Sequence, residues 1–394
     1  MDVGGSEQQT CLLLKHLDRN QFEPRLYLTY RRGELLERVP EDVTIEAFDD
    51  LPFVTRINWP GRWHHRMVKH LRELIASSEI DVVYDRTFHM SLIAAAACAG
   101  RVGRVSTIVC PPSQDLPSSE GRFLELKRRK LARAYRQARQ VIAVSDVVAE
   151  SASEYYQLDR SKIVTLRSPV DSEALRAAAE SLPPGLPGPP SLPGIHVICV
   201  GRMTREKGQD TLLAAIRILS ELQSRAAEVV VAERGEPWTI WFVGDGPLRQ
   251  QLQREAAEME KLVSQSTPPI EIRFTGRLPS VAGLLSRCHL LVCPSRYEGL
   301  PNVVLEAMAL GVPVIGSRIA GIAEVVEHAR TGRLFTADDP ANLASELIYF
   351  AQNRVRMREM AENATAVVED SFKVLPYLLR ISGYLRDAAK VVRG

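Results

Sequence analysis

Four charged residues have neighbourhoods that could support chemistry. Arg202 and Lys207 follow an apolar run ending at Val200, in CVGRMTREKGQDTLLAAI. Glu298 and Glu306 stand eight positions apart in the otherwise apolar EGLPNVVLEAMALGVPVIGS, one ahead of a helical pattern and one inside it. A helix opening at Pro301 or Asn302 would present unpaired amides and the positive end of its dipole, a natural seat for a phosphate. A phosphate beside two carboxylates would be repelled unless cations intervened, and Arg202 and Lys207 are the available pair. At the helical rise, Glu306 sits roughly 7 Å along the axis, where its carboxylate could accept hydrogen bonds from the paired hydroxyls of a ribose. Glu298, ahead of the helix, could reach a different sugar beyond the phosphates. The arrangement suits a sugar nucleotide, with ribose, pyrophosphate and a second sugar laid along one short segment.

These residues can meet only if the ends of several strands converge. Strand-like runs at Ile80 to Tyr84, Val105 to Val109, Val141 to Val144, His196 to Val200, Thr239 to Val243, Ile270 to Phe274, Leu290 to Cys293 and Val312 to Ile315 are each followed by a helical pattern. Such alternation predicts parallel sheets flanked by helices. Residues 181–194, rich in proline and glycine, read as a linker. The predicted organisation is an α/β chain of two doubly wound, Rossmann-like domains, 1–180 and 195–370, facing a central cleft, with 371–394 a helix broken at Pro376 that crosses back to the first domain. Ligands bind such sheets at the carboxyl ends of their strands, which is where Gly201, Arg202, Arg277 and Glu298 fall.

The amino terminus departs from this scheme. Gly4 and Gly5 form a glycine turn, with Ser6 placed to cap a helix carrying apolar residues at 12, 13, 14 and 17. Such a turn should follow a buried strand, yet only three residues precede it. Either Met1 is not the native start, which is the reading favoured here, or the first domain lacks its first and usually central strand.

The bulk properties suit a globular protein. The 394 residues carry 25% charged side chains, a net charge of +2 and 45% apolar residues. No apolar run is long enough to span a bilayer and no secretory signal is visible, which places the chain in the cytoplasm. The six cysteines form no Cys-x-x-Cys pair and read as buried thiols, so a resident metal is not expected.

Arg202 with Lys207, Gly244-Asp245-Gly246, Gly276 and above all Glu298-Gly-Leu-Pro-Asn-Val-Val-Leu-Glu306 resemble the E-x7-E signature set of the retaining glycosyltransferases of family 4, which have the GT-B fold. The resemblance runs through 195–345 and more weakly through Gly4-Gly5, Val144 to Asp146 and Ser168 to Asp171. It implies transfer of a sugar from a nucleoside diphosphate donor with retention of configuration, the donor being a co-substrate and no metal being obligatory. It also implies roles: Arg202 and Lys207 at the leaving diphosphate, Glu306 at the ribose, and Glu298 at the donor sugar. The backbone of Gly201, Gly299, Leu300, Pro301, Asn302 and Val303 would contact the donor. Arg277 would lie near the base and Gly5 would approach donor or acceptor from the other domain. Cys110-Pro111-Pro112 stands where many relatives carry a histidine, and Ser168-Pro169 replaces their Asn-Gly. His89 is a nearby candidate base, although a lone histidine is more often structural.

Three further readings complete the expectation. RFLELKRRKLARAYRQAR (122–139) is a basic amphipathic stretch, either a solvated helix face or a docking surface for anionic membrane carrying a lipid-linked acceptor. No nucleic-acid motif accompanies its charge. Besides transfer to a sugar, lipid-linked or polysaccharide acceptor, the rivals are a sugar-nucleotide epimerase of similar fold and a non-catalytic sugar-nucleotide binder.

Overall fold

A computed structural model describes residues 4–51, 61–119, 121, 123–182, 186, 194–229, 236–264 and 268–390. Most of the expected linker, 183–185 and 187–193, therefore lies outside the described residues. Helices and strands alternate in chain order. They are α1 (Gly5–His16), β1 (Arg25–Leu28), β2 (Thr44–Ala47), α2 (Arg62–Ser77), β3 (Val82–Arg86), α3 (Phe88–Cys98), β4 (Gly103–Ile108), α4 (Pro112–Ser119), α5 (Leu124–Gln137), β5 (Gln140–Ala143), α6 (Asp146–Tyr156), β6 (Ile163–Thr165) and α7 (Ser172–Ala179). There follow β7 (Ile195–Val200), α8 (Gln209–Val229), β8 (Trp238–Val243), α9 (Arg249–Ser264), β9 (Ile270–Gly276), α10 (Ala282–Leu285), β10 (Leu290–Cys293) and α11 (Asn302–Ala309). Then come β11 (Val314–Ser317), α12 (Ala320–Ala323), β12 (Arg333–Phe335), α13 (Pro340–Gln352), α14 (Arg354–Ser371) and α15 (Val374–Lys390).

Two compact units result, one of 4–169 with α15 and one of Val170–Lys373. The division falls at Pro169 and not at 180, because α7 packs on α10 and Arg287 donates to the Ala179 carbonyl at 2.7 Å.

The first unit holds a four-stranded parallel sheet, β3-β4-β5-β6, and a separate parallel pair, β1-β2. Among the described residues no strand precedes α1 or joins the two sheets. Helix α1 packs Cys11 and Leu14 against Leu26 of β1 and Leu13 and Leu17 against Val105 and Ile142 of β4 and β5. Its cap is Gly4, so the expectation of a Ser6 cap is corrected: the helix starts two residues earlier and Ser6 lies inside it. Helix α15 is continuous through Pro376, which sits in the first turn, where a missing amide breaks no helical hydrogen bond. Its Tyr377, Ile381, Leu385 and Ala388 cover β4.

The second unit holds one six-stranded parallel sheet ordered β12-β11-β10-β7-β8-β9. Its central strands are buried on both faces, as the runs IHVICV and WTIWFV, apolar but for His196 and Thr239, require. Successive strands run one way from β7 to β9, then return to the other side of β7 with β10. That reversal is a topological switch point, where side chains leaving the carboxyl ends of β7 and β10 flank a crevice in the sheet edge.

Candidate active site

The two loops at the switch point carry the residues that attracted notice in the sequence. After β7 the chain turns through Gly201, Arg202 and a short 3-10 turn, Arg205–Lys207, into α8. After β10 it runs through Ser295 and Glu298 into α11. The loops are pressed together at Gly208, whose φ of 65° favours glycine and whose added Cβ would stand 2.0 Å from the Pro294 carbonyl oxygen. Gly244, just after β8, is equally confined, since a Cβ there would meet the Gly201 carbonyl at 2.1 Å. The Gly-Asp-Gly turn thus serves close packing of strand ends.

At the centre, Lys207 Nζ donates to Glu298 Oε1 at 2.6 Å, with the two side chains 28% and 10% exposed. Ser295 Oγ donates to the same oxygen at 2.8 Å, and Ser317 Oγ in turn holds the Ser295 carbonyl. Arg202 is different: its side chain is 71% exposed, and its partner Glu206 lies at 3.6 Å, a surface contact that restrains it little. The Arg202 backbone is fixed instead, because buried Gln209 donates to its carbonyl at 3.1 Å while Gln209 Oε1 has no partner.

Helix α11 begins at Asn302 with Pro301 as cap and no side-chain cap bond. Glu298, Gly299, Leu300 and Pro301 are buried, while Asn302, Val303 and Glu306 form a half-buried stripe on a helix otherwise sunk in the core through Val304, Leu305, Ala307 and Met308. The structure therefore gathers Gly201, Arg202, Lys207, Glu298, residues 299–303 and Glu306 around one strand-end crevice. Arg277 is exposed at the end of β9, two strands away from β7. Gly4 and Gly5 cap and open α1 in the first unit. His89, on the first turn of α3 in that unit, is exposed.

Sequence reasoning passed over Arg296. It donates to both oxygens of Asp210 at 2.9 and 2.8 Å and pairs with Asp338 at 2.7 Å. Its backbone amide donates to the Glu206 carbonyl at 2.7 Å, so the residue ties the loop after β10 to the turn that carries Lys207. Burial works against ionisation of Asp210, but the bonds and charge of Arg296 outweigh it and hold the carboxyl below its ordinary value. Only its place within SRYEGLPN could have flagged it. Beneath the site the Cys199 and Cys293 thiols are buried, and burial pushes Cys293 up to about 11, so both are protonated packing groups. No cluster of three His, Cys, Asp or Glu side chains suited to a metal ion occurs among the described residues.

Both units match family models. Glycosyltransferase Family 4 matches residues 3–174, and Glycosyl transferases group 1 matches residues 194–353. Along both units the chain is similar to family 4 glycosyltransferases. Its relatives include the N-acetyl-alpha-D-glucosaminyl L-malate synthase of Bacillus anthracis, 31% identical over 42% of this chain and 38% of that protein. The 2-deoxystreptamine N-acetyl-D-glucosaminyltransferase of Streptomyces fradiae is 31% identical over 56% of this chain and 50% of that protein. The matched regions thus span half or less of these relatives. Among solved structures, Anabaena HepE in complex with UDP and glucose superposes with a TM-score of 0.73 at 20% identity, covering 97% of this chain and 96% of that one. Sucrose-phosphate synthase from Thermosynechococcus elongatus gives 0.74 at 17%, covering 98% and 94%. The fold of this family 4-like chain is accordingly GT-B. Among the described residues no helix is long and apolar enough to cross a membrane.

Proposed function

We propose that the protein transfers a glycosyl group from a nucleoside diphosphate sugar to a hydroxyl acceptor, with retention at the anomeric carbon and no obligatory metal. The observation that carries this reading is the Lys207–Glu298 contact at the switch point, beside a helix start with no side-chain cap. As the bond from the anomeric carbon to the diphosphate breaks, negative charge gathers on the leaving oxygens. Lys207 and the α11 amides, already in place, stabilise that charge without reorganising, and the exposed Arg202 swings onto it as it forms. The acceptor oxygen bonds to the anomeric carbon on the face the diphosphate leaves, and its proton passes to a diphosphate oxygen, so no histidine base is needed. Glu298 holds Lys207 in register and faces the donor sugar, Glu306 takes the ribose hydroxyls, and Arg277 lies toward the base.

HepE was solved with UDP and glucose, which supports a uridine nucleotide as the first donor to test. Relatives with amylovoran and colanic acid biosynthesis in their names support a sugar or polysaccharide acceptor. A lipid-linked acceptor at an anionic cytoplasmic membrane surface fits α5, where Phe123 is 70% and Leu126 50% exposed beside a run of cations. Arg128 and Arg136 of that run donate to the Tyr155 and Tyr156 carbonyls and Arg129 pairs with Glu125 at 3.0 Å, so the docking charge falls to Lys130 and Arg133.

The test is a thermal-shift screen of UDP-, GDP- and ADP-sugars, followed by NMR of the product's anomeric coupling. A stabilising donor whose product keeps the donor's configuration is expected. An inverted product refutes retention, and isomerised donor with no acceptor consumed refutes transfer. Failure to co-sediment with anionic vesicles refutes the membrane surface alone.

A further inference from the structure

The loop that carries Glu298 is fixed along its backbone. The Pro294 carbonyl abuts Gly208, Ser317 Oγ donates to the Ser295 carbonyl, and the Arg296 amide donates to the Glu206 carbonyl at 2.7 Å. The Glu298 carbonyl oxygen is seated against α12, 2.2 Å from where a Cβ on Gly321 would stand. What this backbone leaves open is the Glu298 side chain, which still has its own rotamers. Its hydrogen bonds from Lys207 Nζ and Ser295 Oγ both fall on Oε1, and among the described residues none reaches Oε2.

Ser295 is 2% exposed, and its hydroxyl has a single proton. That proton goes to the carboxylate, which beside the Lys207 ammonium can only accept. The 3.6 Å contact between Cys293 Sγ and Ser295 Oγ must then run from thiol to hydroxyl. The thiol has its proton to give, since burial, and after it the Glu298 charge, push Cys293 up to about 11. Donation therefore runs one way, from Cys293 to Ser295 to Glu298, and ends on the oxygen that Lys207 also holds.

We propose that Ser295 is a positioning residue that, with Cys293 behind it, commits Oε1 of Glu298 to the protein and leaves Oε2 as the single acceptor offered to the donor sugar. With Oε1 pinned, the carboxylate does not exchange its oxygens or swing off Lys207. A sugar lacking the matching hydroxyl then leaves Oε2 unpaired in a largely buried residue, so the site selects its donor by the position of one hydroxyl. The assignment rests on the transfer reading, in which Glu298 faces the sugar, and adds what sets its angle and what that angle selects.

Two measurements on the full chain test it. The first needs no donor: Ser295→Ala lowers the melting temperature of the wild type by about 3 °C and that of Glu298→Ala hardly at all, because the bond it deletes is already gone. Equal falls in the two backgrounds overturn the proposal. The second follows UDP release from UDP-glucose with water as acceptor, beside the calorimetric Kd of UDP alone. Ser295→Ala lowers kcat/KM about tenfold and leaves the Kd of UDP within about twofold, while Ser295→Thr, which keeps the hydroxyl, recovers most of the loss. Cys293→Ala, acting through Ser295, gives a smaller fall of about threefold. Wild type turns over one of the monodeoxy UDP-glucoses, reduced at C2, C3, C4 or C6, about a hundredfold less well than UDP-glucose, and Ser295→Ala narrows that gap to about tenfold. An unchanged gap in Ser295→Ala overturns the proposal, as does a fall in UDP affinity equal to the fall in kcat/KM, which would make Ser295 a brace for the whole loop. A larger loss in Cys293→Ala than in Ser295→Ala overturns the order of the chain. If the wild type neither binds UDP nor turns over UDP-glucose, the uridine donor reading fails and the melting comparison alone decides this one.

Discussion

Replacing Lys207 with methionine keeps the aliphatic stem that lies near Gly201 and deletes only the ammonium. At the 2.6 Å contact, an effective dielectric of about 20 gives a gross attraction of roughly 6 kcal/mol, which desolvation of both groups largely offsets. Deleting one partner is a different matter, because Glu298 stays buried with the Ser295 hydroxyl still donating to it but no longer with a cation beside it. Breaking a buried pair costs about 3–5 kcal/mol, and the partial exposure of Lys207 lowers that to ~2–3 kcal/mol. For a unit of this size, that is a fall in melting temperature of about 5–10 °C. Adding Glu298→Gln removes the stranded charge, so the double variant returns to within ~1 kcal/mol of wild type. Turnover behaves differently: Lys207→Met loses about 10²–10³ in kcat by removing a preorganised donor to the leaving group, and the double variant does not regain it. Calorimetric melting and donor turnover on the four proteins of this cycle separate the two effects. A double variant as unstable as Lys207→Met refutes the stranded-charge argument, and one that regains turnover refutes the placement of Lys207 at the diphosphate.

Gly208→Ala forces a Cβ into the Pro294 carbonyl at a positive φ, so it should cost about 3 kcal/mol and lower donor affinity as the two loops part; a melting temperature equal to wild type would contradict this. Arg296→Gln loosens the turn that carries Lys207, and about a tenfold loss in kcat/KM with a small change in melting temperature is expected. Because the folded Asp210 pKa lies below its unfolded value, the stability it contributes is full above about pH 4 and is lost as pH falls through the folded value. The melting difference between wild type and Asp210→Asn should therefore shrink toward pH 3. His289 is held neutral, its pKa lowered to about 4 by burial, and its Nδ1 accepts the His196 amide at 3.0 Å. Its unfolded form protonates first, so stability falls as pH drops from about 6.5 to about 4, and a pH-independent melting curve across that window would contradict the burial.

Much of the second unit was legible in its residues. Runs such as VICV and LLVC are apolar at every position, as strands buried on both faces require, and Gly311 with Pro313 marked the end of α11. The short strands β1, β2, β6 and β12 escaped notice, because three or four residues of mixed burial carry no usable period. The same limit hid the true start of α1, where Gly4 rather than Ser6 caps, and made Pro376 look like a break when it lies in a first turn. Local pattern alone thus determined that the chain alternates strands with helices and that Arg202, Lys207, Glu298 and Glu306 leave strand ends or sit in the helix that follows. Only the tertiary structure decided that Lys207 and Glu298, 91 residues apart, share a proton-donating contact, that Arg296 braces it, and that Arg86 and Gln9 are each left with a buried unpaired atom. Period and propensity act over a few residues, whereas strand order and the burial of a particular nitrogen depend on which distant segments come to lie side by side.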